Sequence, residues 1–317
     1  MSLQSTQSGD GSRTAPPVTV LGVPFDLGAD RHGVDMGPSA IRYGGLSAAL
    51  DAAGVDYADA GDLAVPTLRT RADEATDESD AKHLDGVAEM TETLADRVDR
   101  ALGEGTVPLV LGGDHSIAMG TMRGAARAGP LGVVWFDAHG DYNTPTSSPS
   151  GNVHGMPLAA AHGYGDFAEM PWATASNVVE ENTVIVGARS LDRDEQAVLR
   201  DSDMSVFTMS DIDSRGIGPV VEEALDIATD GVDGVHVSLD LDWLDPEDAP
   251  GVGTPVPGGV TYREAHTAME RVADRDAAES ALRSLDVVEV NPVLDTRNET
   301  GEKAASLAAT ALGKQIL

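Results

Sequence analysis

The chain has 317 residues, with 53 acidic against 21 basic side chains and a formal net charge of -32. It contains no cysteine, which excludes a disulfide framework, a thiolate nucleophile and any thiolate metal site. Hydrophobic residues make up 41%, enough for a globular core, while so negative a surface repels nucleic acid and anionic membranes.

Residues 1–16 are rich in Ser, Gln, Gly, Thr and Pro and lack an apolar stretch, so they read as a flexible tail rather than a secretory or membrane segment. Residues 17–317 read as one folded domain, with neither an internal repeat nor a linker. Short β-branched or apolar runs at 18–23, 55–59, 107–111, 131–136, 184–188, 205–208, 235–241 and 285–290 predict strands. Several are apolar throughout, as parallel strands covered on both faces are. Helical patterns fall between them, at 38–50, 117–128, 219–229, 262–273 and 302–312. Leu84, Val87, Met90, Leu94, Val98 and Leu102 add one more helix at the proper spacing. The acidic stretch 72–80 reads as a solvated loop or the start of a helix. Alternating strands and helices predict an α/β fold: a doubly wound, largely parallel sheet of about eight strands flanked by helices.

Such sheets bind ligands beyond the carboxyl ends of their strands. There the chain carries G-G-D-H-S at 112–116, D-A-H-G-D at 137–141 and S-L-D-L-D-W-L-D-P at 238–246. In extended backbone, residues i and i+2 share a face. Asp137 therefore sides with His139, Asp240 sides with Asp242, and Asp141 joins the group as the chain turns through Gly140. Four carboxylates so close raise one another's pKa, and two divalent cations would neutralise their formal charge. Carboxylate and imidazole without thiolate suit Mn²⁺, with Fe²⁺, Co²⁺ and Zn²⁺ as alternatives. His236 lies on the Asp240 side of its strand, as a core residue or a support to the site rather than a ligand. His32, His83, His162 and His266 read as surface or loop histidines.

These motifs, with G-V-P-F at 22–25 and G-V-D-M-G-P at 33–38, resemble the ureohydrolases, and among them the arginases most closely. The resemblance runs from about Val18 to near the C terminus. It implies an arginase-like catalytic domain holding two Mn²⁺ per subunit. His115, Asp137, Asp141 and Asp240 would bind one ion, and His139, Asp137, Asp240 and Asp242 the other, with Asp137 and Asp240 bridging. The implied reaction is attack of a metal-bridging hydroxide on the guanidinium carbon of L-arginine, giving L-ornithine and urea. Asp141 would move the proton to the departing amine. His154, in G-N-V-H-G, matches the family's proton shuttle, and Glu289, in E-V-N-P, its guanidinium-pairing carboxylate. Positions matching Asn143, Ser150 and Asn152 receive the α-carboxylate, and Asp192 matches a residue that recognises the α-amino group. Thr254, in G-T-P-V-P-G-G, would lie on the guanidinium side.

Neutral donors suit a carboxylate and an acid suits an ammonium, so the loop favours arginine over agmatine, which lacks the carboxylate. Agmatinase and guanidinobutyrase are the alternatives within the family. A one-metal zinc deacetylase and a non-enzymatic cation-binding protein are the alternatives outside it. Members of the family are commonly trimers or hexamers, so a homo-oligomer is expected. The charge of -32 exceeds what solubility needs. It points to a halophilic chain in a high-salt cytoplasm.

Overall fold

The computed structural model describes residues 15–66 and 81–313. Most of the expected tail and the acidic stretch 72–80 lie outside the described residues. Eight strands form one parallel sheet: β1 Val18–Val23, β2 Tyr57–Asp62, β3 Val107–Gly112, β4 Leu131–Phe136, β5 Val178–Ala188, β6 Ser205–Thr208, β7 Val235–Asp240 and β8 Leu282–Val288. Their spatial order is β2-β1-β3-β8-β7-β4-β5-β6, with every pair parallel.

The inner strands are buried on both faces because their side chains alternate between two cores. Val134 and Phe136 of β4 enter one core, while Val133 and Trp135 enter the other. The first core is closed by α1 Gly37–Tyr43, α2 Leu46–Ala53, α7 Met209–Arg215, α8 Ile217–Thr229, α9 Tyr262–Glu279 and α10 Glu299–Ala311. The second is closed by α3 Leu84–Gly103, α4 Ala118–Ala126, α5 Pro157–His162 and α6 Arg193–Asp201. On α3 the apolar stripe Val87, Met90, Leu94 and Val98 is fully buried, worth roughly 1.5–3 kcal/mol per side chain. The edge strand β2 is mostly exposed and carries Asp59 and Asp62, both paired with Arg42. Charge on an edge discourages pairing with another chain.

The expected helix over 38–50 is two helices. The break falls at Gly44 and Gly45, where Gly45 takes φ 95° and a Cβ on Gly44 would lie 2.4 Å from the Gly301 carbonyl oxygen. β5 begins at Val178, six residues before the expected start, because Val178 already pairs with Leu131 of β4 ahead of an irregularity that ends at Thr183. The short helices α5, α6 and α7 were not anticipated. No helix among the described residues is long and apolar enough to cross a membrane.

Candidate active site

The four central strands, β3-β8-β7-β4, all end at one spot. His115 follows β3, Asp137 follows β4, Asp240 ends β7 with Asp242 two residues on, and Glu289 follows β8. His115 Nδ1 lies 3.1 Å from Asp137 Oδ2, 3.0 Å from Asp141 Oδ2 and 3.1 Å from Asp240 Oδ2. His139 Nδ1 lies 3.3 Å from Asp137 Oδ1 and 3.1 Å from Asp242 Oδ2. Asp137 thus faces one imidazole with each oxygen.

Local backbone holds these groups in place. The Asp240 carboxylate accepts the Asp242 N–H at 2.7 Å, and Asp137 accepts the His139 N–H at 2.7 Å. Trp135 donates its indole N–H to Asp137 Oδ2 at 3.0 Å, and its ring stacks on His115 with centroids 4.1 Å apart. Asp141 and Glu289 adopt φ of 49° and 65°. Left-handed backbone is costly for Glu and better tolerated by Asp, and such strain gathers at functional sites. Here it turns both acids inward.

Burial disfavours every charge in this nest, and the neighbours decide the outcome. Burial, then the charge of Asp137, raises Asp141 to about 6. Burial, then the nearby aspartates Asp242 and Asp137, pushes Asp240 well up, and burial with Asp137 raises Asp242. Asp137 is lowered despite its burial, because both imidazoles contact it. His139 is pushed up to about 12, since Asp242 and Asp137 outweigh its burial. Among the described residues, no Lys or Arg forms an ion pair with these four aspartates. Arg189 donates instead to the Asp242, Trp243, Leu244 and Val256 carbonyls. His115 Nδ1 is buried without a hydrogen-bond partner. Two sets, His115 with Asp137 and Asp141, and Asp137 with His139 and Asp242, have ligand atoms close enough for an ion. This all-oxygen and imidazole donor set fits divalent cations such as Mn²⁺.

Above the nest opens a cavity of about 260 Å³, the size for a small amino acid. His139, Asp141, Asp240 and Asp242 reach its floor, and His154, Asn143, Ser150, Asn152, Asp192 and Thr254 line its sides. Glu289 lies beneath: its Oε1 accepts the His115 N–H at 3.0 Å and contacts His154 Nδ1 at 2.9 Å. Burial opposes a charged His154, but Glu289 prevails and raises it to about 9. Asn143 donates to Asp192 at 3.1 Å and accepts from the Ser147 hydroxyl at 3.0 Å. Asn152 accepts from Lys82 Nζ at 2.9 Å and donates to the Ala29 carbonyl at 3.0 Å. Thr254 donates to Asp242 Oδ2 at 2.9 Å, so its hydroxyl serves that carboxylate.

Every site residue expected from sequence is thus brought to one place. Glu195 and Ser190, which also line the cavity, were not anticipated. Glu195 is buried, accepts the Tyr142 and Asp192 N–H groups at 3.0 and 3.2 Å, and is raised to about 7, chiefly by burial. Asp192 and Glu195 form the capping box of α6, and that D-x-x-E spacing is the signal that could have found it. Two expectations need correction. His162 closes α5, partly buried against the Thr183 hydroxyl, and His266 sits within α9 against Tyr262 and Thr310. Neither is a loop or surface histidine, since the helices carrying them pack on the sheet.

Carboxylates and imidazoles gathered at the strand ends of a doubly wound sheet, under a cavity for a small polar molecule, define a metal-dependent hydrolase. The Arginase family model matches residues 16–313. An arginase from Bacillus subtilis is 49% identical over 302 residues, covering 95% of this chain and 99% of that one. An arginase from Brevibacillus brevis is equally similar over the same shares. The crystal structure of arginase from Bacillus caldovelox superposes with a TM-score of 0.87 at 45% identity, covering 95% of this chain and all of that one. The chain belongs to the arginase family of hydrolases.

Proposed function

We propose that this enzyme hydrolyses L-arginine to L-ornithine and urea. The observation that carries the reading is a single cleft with two poles. Its floor is the carboxylate–imidazole nest, and its rim sets the neutral donors of the 143–152 loop beside Asp192. His115, Asp137, Asp141 and Asp240 would hold one Mn²⁺, and Asp137, His139, Asp240 and Asp242 a second. When bound, such a pair supplies Lewis acidity and a water acidic enough to act as nucleophile near neutral pH.

The chain's own groups do the rest. Glu289 Oε1 is occupied by the His115 N–H and His154, which leaves Oε2 to pair with the substrate guanidinium. Asp141, at the floor of the cleft, would take a proton and pass it to the departing amine. His154, raised to about 9, carries a proton between the cleft and solvent. Asn143, Ser150 and Asn152 receive the α-carboxylate, and Asp192 the α-ammonium. Lys82 occupies the Asn152 oxygen and the Ala29 carbonyl takes one amide N–H, so only the second N–H is left for the carboxylate. Agmatine would leave these donors without a partner, and such mismatches discriminate strongly. We further propose that the enzyme works as a homo-oligomer in a high-salt cytoplasm.

The test is urea release from arginine and agmatine side by side, with and without Mn²⁺, in high salt. Arginine should be preferred and Mn²⁺ required. Agmatine turned over as efficiently as arginine would overturn the substrate assignment, and full activity after metal removal would overturn the metal assignment.

A further inference from the structure

Behind His115 lies a row of polar groups in the middle of the sheet. β7 and β8 pair with His236 opposite Ser284 and Ser238 opposite Asp286. Alternation puts His236, Ser238 and Asp240 on one face of β7. His236, Ser238, Ser284 and Asp286 are all fully buried, and burial of such groups is costly where they are not bonded.

The hydrogen bonds among them have a direction. The Ser238 hydroxyl donates to Asp286 Oδ1. A hydroxyl has one proton, so toward His115 Nε2, 2.7 Å away, Ser238 can only accept. His115 must then carry its proton on Nε2. The lone pair is left on Nδ1, the nitrogen that faces Asp137, Asp141 and Asp240. Behind Asp286, His236 Nδ1 is bonded to Ser284 Oγ at 2.9 Å, while His236 Nε2 stands 3.4 Å from Asp286 Oδ2 without a hydrogen bond.

We infer that Asp286 is a positioning residue that acts through Ser238 to fix His115 in the tautomer whose Nδ1 can ligate a divalent cation. The inference rests on the proposed role of His115 as a ligand. Partners behind a ligating histidine set its tautomer and orientation, and losing them typically weakens metal binding about 10–100-fold. A network that merely satisfies buried polar groups would have no preference between the two ion sites.

The experiment is Mn²⁺ titration of the metal-stripped full-length chain and of Ser238→Ala, Asp286→Asn and their double variant, by equilibrium dialysis. The unmodified chain should bind two ions. Ser238→Ala and Asp286→Asn should each weaken one ion about 10–100-fold and leave the other nearly unchanged. The double variant should be no weaker than Ser238→Ala alone, because Asp286 acts through that hydroxyl. Equal weakening of both ions, no weakening of either, or losses that multiply in the double variant would overturn the inference. A further reading needs no variant: in the Zn²⁺-loaded chain, histidine-nitrogen NMR should show His115 protonated at Nε2, and a proton on Nδ1 would overturn it. An unmodified chain that binds no Mn²⁺ would refute the metal assignment instead.

Discussion

Glu289→Gln tests the proposed chemistry without changing the size of a side chain. The glutamine oxygen can still accept the His115 N–H, so that bond survives. Two things are lost. The first is the charge of Glu289, the largest of the influences that raise His154 against its burial. The second is a carboxylate for the guanidinium, where a charge-assisted hydrogen bond contributes about 1.5–3 kcal/mol. The second effect alone predicts a rise in KM for arginine of roughly 10–150-fold. The first predicts that the pH profile of turnover moves to lower pH, because burial without Glu289 disfavours imidazolium. The assay is steady-state urea production across pH at saturating Mn²⁺, with bound metal measured in the same samples. Metal content should not change, since Glu289 is outside the proposed ligand set. A KM within about threefold of the unmodified enzyme, with metal retained, would show that Glu289 does not read the guanidinium.

Asn143→Ala should raise KM for arginine roughly 5–30-fold, about 1–2 kcal/mol, and leave weak agmatine turnover nearly unchanged; equal losses for both would mean that the loop ignores the carboxylate. His162 is lowered from 6.5 to about 4 by burial, and its Nδ1 is buried without a partner. The folded chain therefore holds it neutral, so its stabilising effect is complete above 6.5 and is lost as pH falls toward 4. His162→Gln should flatten the acid side of the stability curve by up to about 3 kcal/mol, read from urea midpoints against pH, and an unaltered slope would count against it. With a net charge of -32, the melting temperature should climb as KCl shortens the Debye length from about 10 Å at ~0.1 M to about 3 Å at ~1 M. A flat or falling curve contradicts the proposed adaptation to salt.

The sheet and the ligands were legible because both follow short-range rules. Apolar runs mark strands covered on both sides, and D-x-H and D-x-D place their side chains on one face whatever the rest of the chain does. What escaped notice depends on register or on tertiary approach. The link from His115 through Ser238 to Asp286 exists only once β7 and β8 pair in one alignment. The division between α1 and α2 falls at the Gly44–Gly45 pair, a local turn signal, but the close passage of Gly44 past Gly301 appears only in the folded molecule. α6 reads R-D-E-Q-A-V-L-R-D, nine residues that bury only Glu195 and Leu199, so its D-x-x-E cap is the plainest mark of it in the sequence.

The adjacency of β3, β8, β7 and β4 also bears on how the molecule comes together. These neighbours are widely separated along the polypeptide, so no early local fragment can assemble a cation cage. Long-range pairing must come first, which is slow and pays its entropy before any contact rewards it. An ion arriving afterwards binds only the finished molecule and acts as a latch on it, tightening the native state in proportion to its free concentration.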